Sequence, residues 1–109
     1  MNTITEPKIR GQKLRPLTTF RWQSINGYIK SGLSTVPDVG ATVIYTYAAL
    51  SLSEDEPSLH ADYKLLRDEV IRIGLDLTED EATEISKYVN DVVSAKSNSE
   101  VEVDTAGKN

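Results

Sequence analysis

The stretch LHADYKLLRDEVIRIGL at residues 59–75 decides the fold class, because it has the pattern of an amphipathic helix. Its apolar side chains recur at alternating steps of four and three residues, at Leu59, Tyr63, Leu66, Val70 and Ile73. That spacing puts them on one face of an α-helix, and charged residues occupy the other face. Gly74 is expected to end this helix, and Leu75 is expected to fold back on its last turn.

The residues that follow carry the start signal of another helix. Thr78 and Glu81 form a capping box, in which the side chain of each accepts a hydrogen bond from the backbone N–H of the other. Beyond it, apolar residues again recur at helical spacing, at Ala82, Ile85, Val89 and Val92. The connector between the two helices is short, so we expect them to be antiparallel neighbours.

A further helix is predicted nearer the start of the chain, where the hydroxyl of Thr18 or Thr19 can cap the first turn. Its apolar stripe consists of Trp22, Ile25 and Ile29. Gly32 is expected to end this helix in the left-handed conformation that glycine adopts without strain.

The segment Val39–Leu52 carries two opposing signals. The β-branched and aromatic residues at 42–47 favour a strand. Its apolar residues nevertheless recur at helical spacing, at Val39, Val43, Tyr47 and Leu50. The segment is also longer than a typical strand, and no second strand is predicted to pair with it. We therefore predict a buried helix that opens at Pro37 and Asp38.

The two ends of the chain differ from its middle. Residues 1–16 are polar and basic and are interrupted by proline and glycine, and residues 96–109 are polar. Neither segment holds enough apolar surface to offset the entropy lost on ordering. The sequence therefore predicts an all-α fold: a flexible basic arm at 1–16, a helical domain of about four helices at 17–95 and a disordered polar tail at 96–109.

Charge is distributed unevenly along the chain. Residues 1–30 carry six basic residues and one acidic residue, whereas residues 31–109 carry six basic and 16 acidic residues. These counts correspond to +5 and −10 within an overall net charge of −5. The arm can fold onto the acidic body of its own chain or of a neighbour, or it can contact nucleic acid.

The composition disfavours most catalytic chemistry. Without cysteine the chain has no disulfide, no thiol nucleophile and no cysteine zinc site. His60 is the single histidine, and Glu56 is its nearest candidate partner for a metal or an acid–base pair. A histidine at the surface of a helix start is the simpler interpretation. We predict no enzyme activity, no catalytic residue, no metal site and no cofactor.

The apolar runs are too short for a membrane span, and residues 1–13 lack the apolar middle of a secretory signal. We therefore predict a cytoplasmic protein without membrane contact.

These features favour a non-enzymatic helical protein–protein interaction module of the adaptor, assembly-factor or inhibitor type. Self-association of the chain would be an interaction of the same kind. Its partner is then another protein or a second copy of the chain, and docking through the basic arm should weaken as salt rises. The alternative is a nucleic-acid-binding accessory protein that uses the same arm. The candidate partner-binding residues combine the basic residues of the arm with aromatic residues of the kind that interfaces favour: Lys8, Arg10, Lys13, Arg15, Arg21, Trp22 and Tyr28.

Overall fold

The computed structural model describes the backbone of residues 4–108 and the side chains of residues 4–95. The described chain forms a short antiparallel hairpin followed by five helices, which confirms the all-α class. The elements in order are β1 (Lys8–Ile9), β2 (Gln12–Lys13), α1 (Thr19–Ser31), α2 (Val39–Leu52), α3 (Glu56–Ala61), α4 (Tyr63–Asp76) and α5 (Glu79–Lys108).

Helix α2 lies at the centre of the bundle, and α1, α3, α4 and α5 all contact it. The six residues 46–51 are all buried, so the second half of the helix is covered on every side. The prediction of a buried helix over Val39–Leu52 is confirmed. The neighbours α4 and α5 were expected to contact each other, but they pack mainly against α2.

The predicted apolar stripe of α2 is only partly confirmed: Tyr47 and Leu50 are buried, but polar residues replace Val39 in the core. Val39 is 59% exposed, whereas Thr42 and Thr46 are buried. The Thr42 hydroxyl donates to the carbonyl of Asp38 at 3.0 Å, and the Thr46 hydroxyl donates to the carbonyl of Thr42 at 2.6 Å. Because each hydroxyl is satisfied by the preceding turn, threonine can lie in the core without an unpaired polar group.

The helix starts follow local side-chain chemistry. The Thr18 Oγ1 accepts from the Arg21 N–H at 3.4 Å, and Gly32 ends α1 with a φ of 77°. Both bonds of the capping box are present, at 3.2 Å from the Glu81 N–H and 2.9 Å from the Thr78 N–H. These predictions are confirmed.

Asp38 caps α2, because its carboxylate accepts from the Ala41 N–H at 3.2 Å. Pro37 therefore lies one residue before the cap, and the prediction that the helix opens with this proline is wrong. The proline still restricts the chain at the point where it enters the helix.

The stretch 59–75 belongs to two helices rather than one. Asp62 interrupts it with an extended backbone at φ −140° and ψ 104°. Its Oδ1 accepts from the Lys64 N–H at 2.9 Å, which caps the start of α4. The apolar spacing hides this break, because Leu59 and Leu66 on either side are both buried in the common core.

The end of α4 also differs from the prediction. The helix passes through Gly74 and continues to Asp76. Leu75 is 81% exposed and does not fold back, whereas Leu77 packs against the core. Gly74 lies beside the Tyr45 ring, where a Cβ would be in ordinary van der Waals contact with Tyr45 Cδ2 at 3.4 Å.

The hairpin packs against the helices, in contrast to the predicted flexible arm. Ile9, Leu14 and Leu17 are buried, and the Leu14 N–H donates to the carbonyl of Pro7 at 3.0 Å. The expectation that this segment has too little apolar surface to pack is wrong for residues 4–16. The number of apolar residues in this segment does not show that the tight turn of the hairpin places both Ile9 and Leu14 in the core.

At the other end of the chain, the helical backbone of α5 continues through residues 96–108. The side chains of this part lie outside the described residues, and the disordered tail at 96–109 stays a prediction. Among the described residues, no helix combines the length and apolar character needed to cross a bilayer.

Candidate functional site

Two basic residues near the start of the chain, Arg15 and Arg21, converge on one carboxylate, that of Glu56 at the start of α3. Arg21 donates to it twice, from Nε to Oε2 at 2.8 Å and from Nη2 to Oε1 at 3.0 Å. Arg15 donates to Oε1 at 3.2 Å and to the carbonyl of Leu50 at 2.7 Å. The Glu56 side chain is only 12% exposed, so these charges are paired with little water between them.

His60 completes this ionic cluster, which we define as Arg15, Arg21, Glu56 and His60. Its Nε2 lies 2.8 Å from Glu56 Oε2, and its Nδ1 lies 2.6 Å from the hydroxyl of Ser24. The ring of Phe20 packs edge-on against the imidazole, with the centroids 4.9 Å apart. The histidine is therefore largely enclosed, in contrast to the surface position that the sequence favoured.

The order serine–imidazole–carboxylate resembles that of a nucleophilic triad, in which the carboxylate fixes the tautomer of the histidine. The surroundings of Ser24 do not complete such a site. Ser24 lies within α1, where the nearby amides are bonded along the helix and cannot stabilise an oxyanion. A neighbouring cavity of about 380 Å³ is lined by Phe20, Glu56, Pro57 and His60, but not by Ser24. The contacts of His60 with Ser24 and Glu56 link α1 to α3.

The protonation of the cluster follows from its contacts. Burial raises the pKa of Glu56, but hydrogen bonds from Arg21 and His60, together with their charges, outweigh it and leave the pKa below its ordinary value. The hydrogen bond to Glu56 raises the pKa of Arg21. The carboxylate and the guanidinium are therefore both ionised at neutral pH.

The hairpin cations bind their own chain as well. Arg10 lies 3.2 Å from Glu81 Oε2 and donates to the carbonyl of Asp76 at 2.8 Å. Lys13 lies 3.3 Å from the carboxylate of Glu6, and Lys8 is exposed. Of the two folding alternatives for the arm, the structure shows contact with its own acidic body. Because the three arginines already have partners within the chain, phosphate contacts would compete with these bonds.

The two aromatic candidates have different positions. Tyr28 is completely buried and packs edge-on against Tyr63, with the ring centroids 6.1 Å apart. It belongs to the core, so the prediction that Tyr28 contacts a partner is corrected. Trp22 is half-buried and borders a surface groove.

This groove, the α2–α5 groove, has a volume of about 540 Å³ and lies between α2 and α5. Most of its lining is apolar and includes Ala41, Val43, Ile44, Ala82, Val89 and Val93. Its polar lining includes Asp38, Ser86 and Asn90. Val43, Ala82 and Val89 were predicted as core residues. Val89 is buried and confirms this, whereas Val43 and Ala82 are only half-buried. Helical spacing identifies the face but does not show that part of it stays open to solvent.

A second groove of about 630 Å³ lies among α2, α3 and α4. Leu52, Leu59 and Leu65 contribute its apolar surface, and its remaining lining is mostly polar or charged. Arg72 at this groove already forms a bidentate pair with Glu69. This surface is more polar than the α2–α5 groove.

In the described part of the chain, no group of three or more acidic or histidine side chains is placed to hold a metal ion. Comparisons of the chain with protein-family models, curated proteins and solved structures find no match.

Proposed function

We propose that this protein is a non-enzymatic helical protein–protein interaction module, of the adaptor, assembly-factor or inhibitor type. The observation that carries the proposal is the α2–α5 groove, a largely apolar channel between two helices that the described chain leaves open. Amphipathic helices bind such grooves by placing side chains at helical spacing into them. The lack of cysteine is compatible with action in the cytoplasm.

The arginines that suggested an electrostatic arm support this choice of site. Arg10, Arg15 and Arg21 are bound to internal carboxylates and carbonyl groups, whereas Lys8 is exposed. Docking through these arginines would compete with their internal bonds. The groove requires no rearrangement, because its apolar side chains already face solvent in part.

A groove-filling substitution tests the proposal. Gly40 lines the groove, and a Cβ at this position would meet no atom closer than 3.8 Å, so Gly40→Leu should fold and fill the channel. The matched control is Ala95→Leu, which adds a leucine at an exposed position of α5. Ala95 lies two and a half turns after Ser86 and so on the opposite face of the helix.

Both variants and the original chain are used to select from a displayed library of helical peptides. We expect the selection to yield peptides that bind the original chain and the Ala95→Leu variant but do not bind the Gly40→Leu variant. A library that yields no peptide sensitive to Gly40→Leu would contradict it. Light scattering on the same proteins shows whether a second copy occupies the groove, since such a dimer would also be lost with Gly40→Leu.

A further inference from the structure

We infer that the α2–α5 groove selects a cationic amphipathic helix, that is, a partner helix whose apolar stripe is flanked by lysine or arginine. This inference rests on the proposed function and specifies the class of partner. Two features support it: the charges that border the groove and the positions of the cations of this chain.

The charge at the groove is negative. Asp38 lines it, and its lining in the described chain includes no lysine or arginine. Glu79 extends this acidic character along α5, because it precedes Ser86 by seven residues and so lies on the same side of the helix two turns earlier. Asp38 and Glu79 would lie beside a helix bound in the groove. Charges separated by less than about 8 Å still attract one another at physiological salt.

The nearest cation of the arm does not reverse this sign. Arg10 lies near the start of α5, but its guanidinium is bound to Glu81 and to the carbonyl of Asp76. Residues 31–109, which provide nearly all of the groove, carry a net charge of −10. A cationic helix is therefore attracted, whereas a second copy of this acidic chain would bring like charges together.

Trp22 offers a direct measurement of occupancy. It is the single tryptophan of the chain, and it borders the groove. A helix that enters the groove should exclude water from the indole and shift its emission to shorter wavelength. Binding elsewhere on the acidic surface should leave this emission unchanged.

The test uses two synthetic peptides of about 18 residues, or about five helical turns, without tryptophan. They share the same leucines at helical spacing and differ in having lysine or glutamate at the flanking positions. The lysine peptide should shift the Trp22 emission and bind at least about tenfold more tightly than the glutamate peptide at about 0.05 M salt. This preference should decrease at about 0.5 M salt.

Two variants locate the interaction. Gly40→Leu should weaken binding of the lysine peptide by about tenfold or more, whereas Ala95→Leu should change it by less than about twofold. Ser86→Arg places a cation on the groove lining and should reduce the preference for the lysine peptide. Ala95→Arg, which adds the same charge on the opposite face of α5, should not.

The outcomes separate the two levels of inference. If the glutamate peptide binds as well as the lysine peptide, and Gly40→Leu abolishes both, the inferred charge preference is wrong and the proposed function stands. If neither peptide shifts the Trp22 emission, the groove does not hold a helix and both are wrong. If the lysine peptide binds without sensitivity to Gly40→Leu, its attraction is not to the groove and the inference fails.

Discussion

Glu56 connects α3 to two positions earlier in the chain, 35 and 41 residues away. Its carboxylate binds Arg15 before α1, Arg21 within α1 and His60 within α3. Removing water from charged groups costs free energy, and this cost is offset here by several hydrogen bonds to one carboxylate. The loss of that carboxylate would leave two guanidinium groups without their acceptor.

Glu56→Gln should therefore reduce the free energy of unfolding by about 2–4 kcal/mol, as measured by urea denaturation. The expected loss is smaller than the loss on breaking a fully buried ion pair, because Arg15 is partly exposed. Glu69→Gln is the matched control, because it removes an exposed pair with Arg72 and should cost less than about 1 kcal/mol. Equal losses in the two variants would show that the cluster contributes no more than a surface pair.

The lowered pKa of Glu56 predicts a pH dependence with a definite sign. The folded protein binds this proton less readily than the unfolded chain, so the stabilisation is present above the unfolded value of about 4.3. It is lost as the pH falls through the lower pKa of the folded state. The stability difference between the original chain and Glu56→Gln should therefore narrow as the pH falls below about 4. A difference that stays constant between about pH 6 and 3 would contradict the assignment.

Helix α1 packs closely against the start of α4 because of a glycine. A Cβ at Gly27 would lie 2.5 Å from the hydroxyl of Tyr63, a distance that normal packing does not allow. The Tyr63 ring is itself packed against Tyr28, which restricts how far it can move. Gly27 thus lowers the helix propensity of α1, but it leaves room for the side chain of Tyr63 from α4.

Gly27→Ala and Gly40→Ala should consequently change stability in opposite directions. Gly40→Ala should stabilise the protein by up to about 1 kcal/mol, because helix propensity improves and a Cβ there meets no closer atom than 3.8 Å. Gly27→Ala should destabilise the protein by about 1–3 kcal/mol, because the clash of the new Cβ with Tyr63 outweighs the gain in helix propensity. Thermal and urea unfolding of both variants measure this difference. Stabilisation by Gly27→Ala would show that Tyr63 moves freely.

The whole bundle is closed by its N-terminal segment. The side chains of Ile9 and Leu14 are buried, and the Leu17 N–H donates to the hydroxyl of Tyr88 at 3.0 Å. The Tyr47 hydroxyl donates to the carbonyl of Arg15. The segment before α1 thereby contacts α2 and α5, which would otherwise expose part of the core.

Truncation of this hairpin core tests its contribution to the bundle. Ile9→Ala and Leu14→Ala should each lower the free energy of unfolding by about 2–5 kcal/mol, as buried aliphatic residues do elsewhere. Gln12→Ala, at an exposed position of the same hairpin, should change it by less than about 0.5 kcal/mol. The denaturation midpoints provide the comparison. Small losses at both buried positions would restore the prediction of a flexible arm.

Several predictions from sequence were accurate where the decisive interaction joins residues within one or two turns, although the break at Asp62 and the end of α4 were predicted incorrectly. The capping bonds of Thr78 and Glu81, and the left-handed end at Gly32, depend on neighbours three residues away or fewer. Helix Val39–Leu52 was identified because its periodicity and length are local properties.

The sequence therefore established the helical class, the bounds of α1 and α2, the start of α5 and the separation of charge along the chain. The tertiary structure decided which cations bind the protein itself, that Tyr28 lies in the core, and that α2 and α5 leave a groove between them. These features depend on contacts between residues such as Arg15 and Glu56, which are 41 positions apart. Local periodicity contains no information on such pairs, because their distance is set by how the completed helices pack.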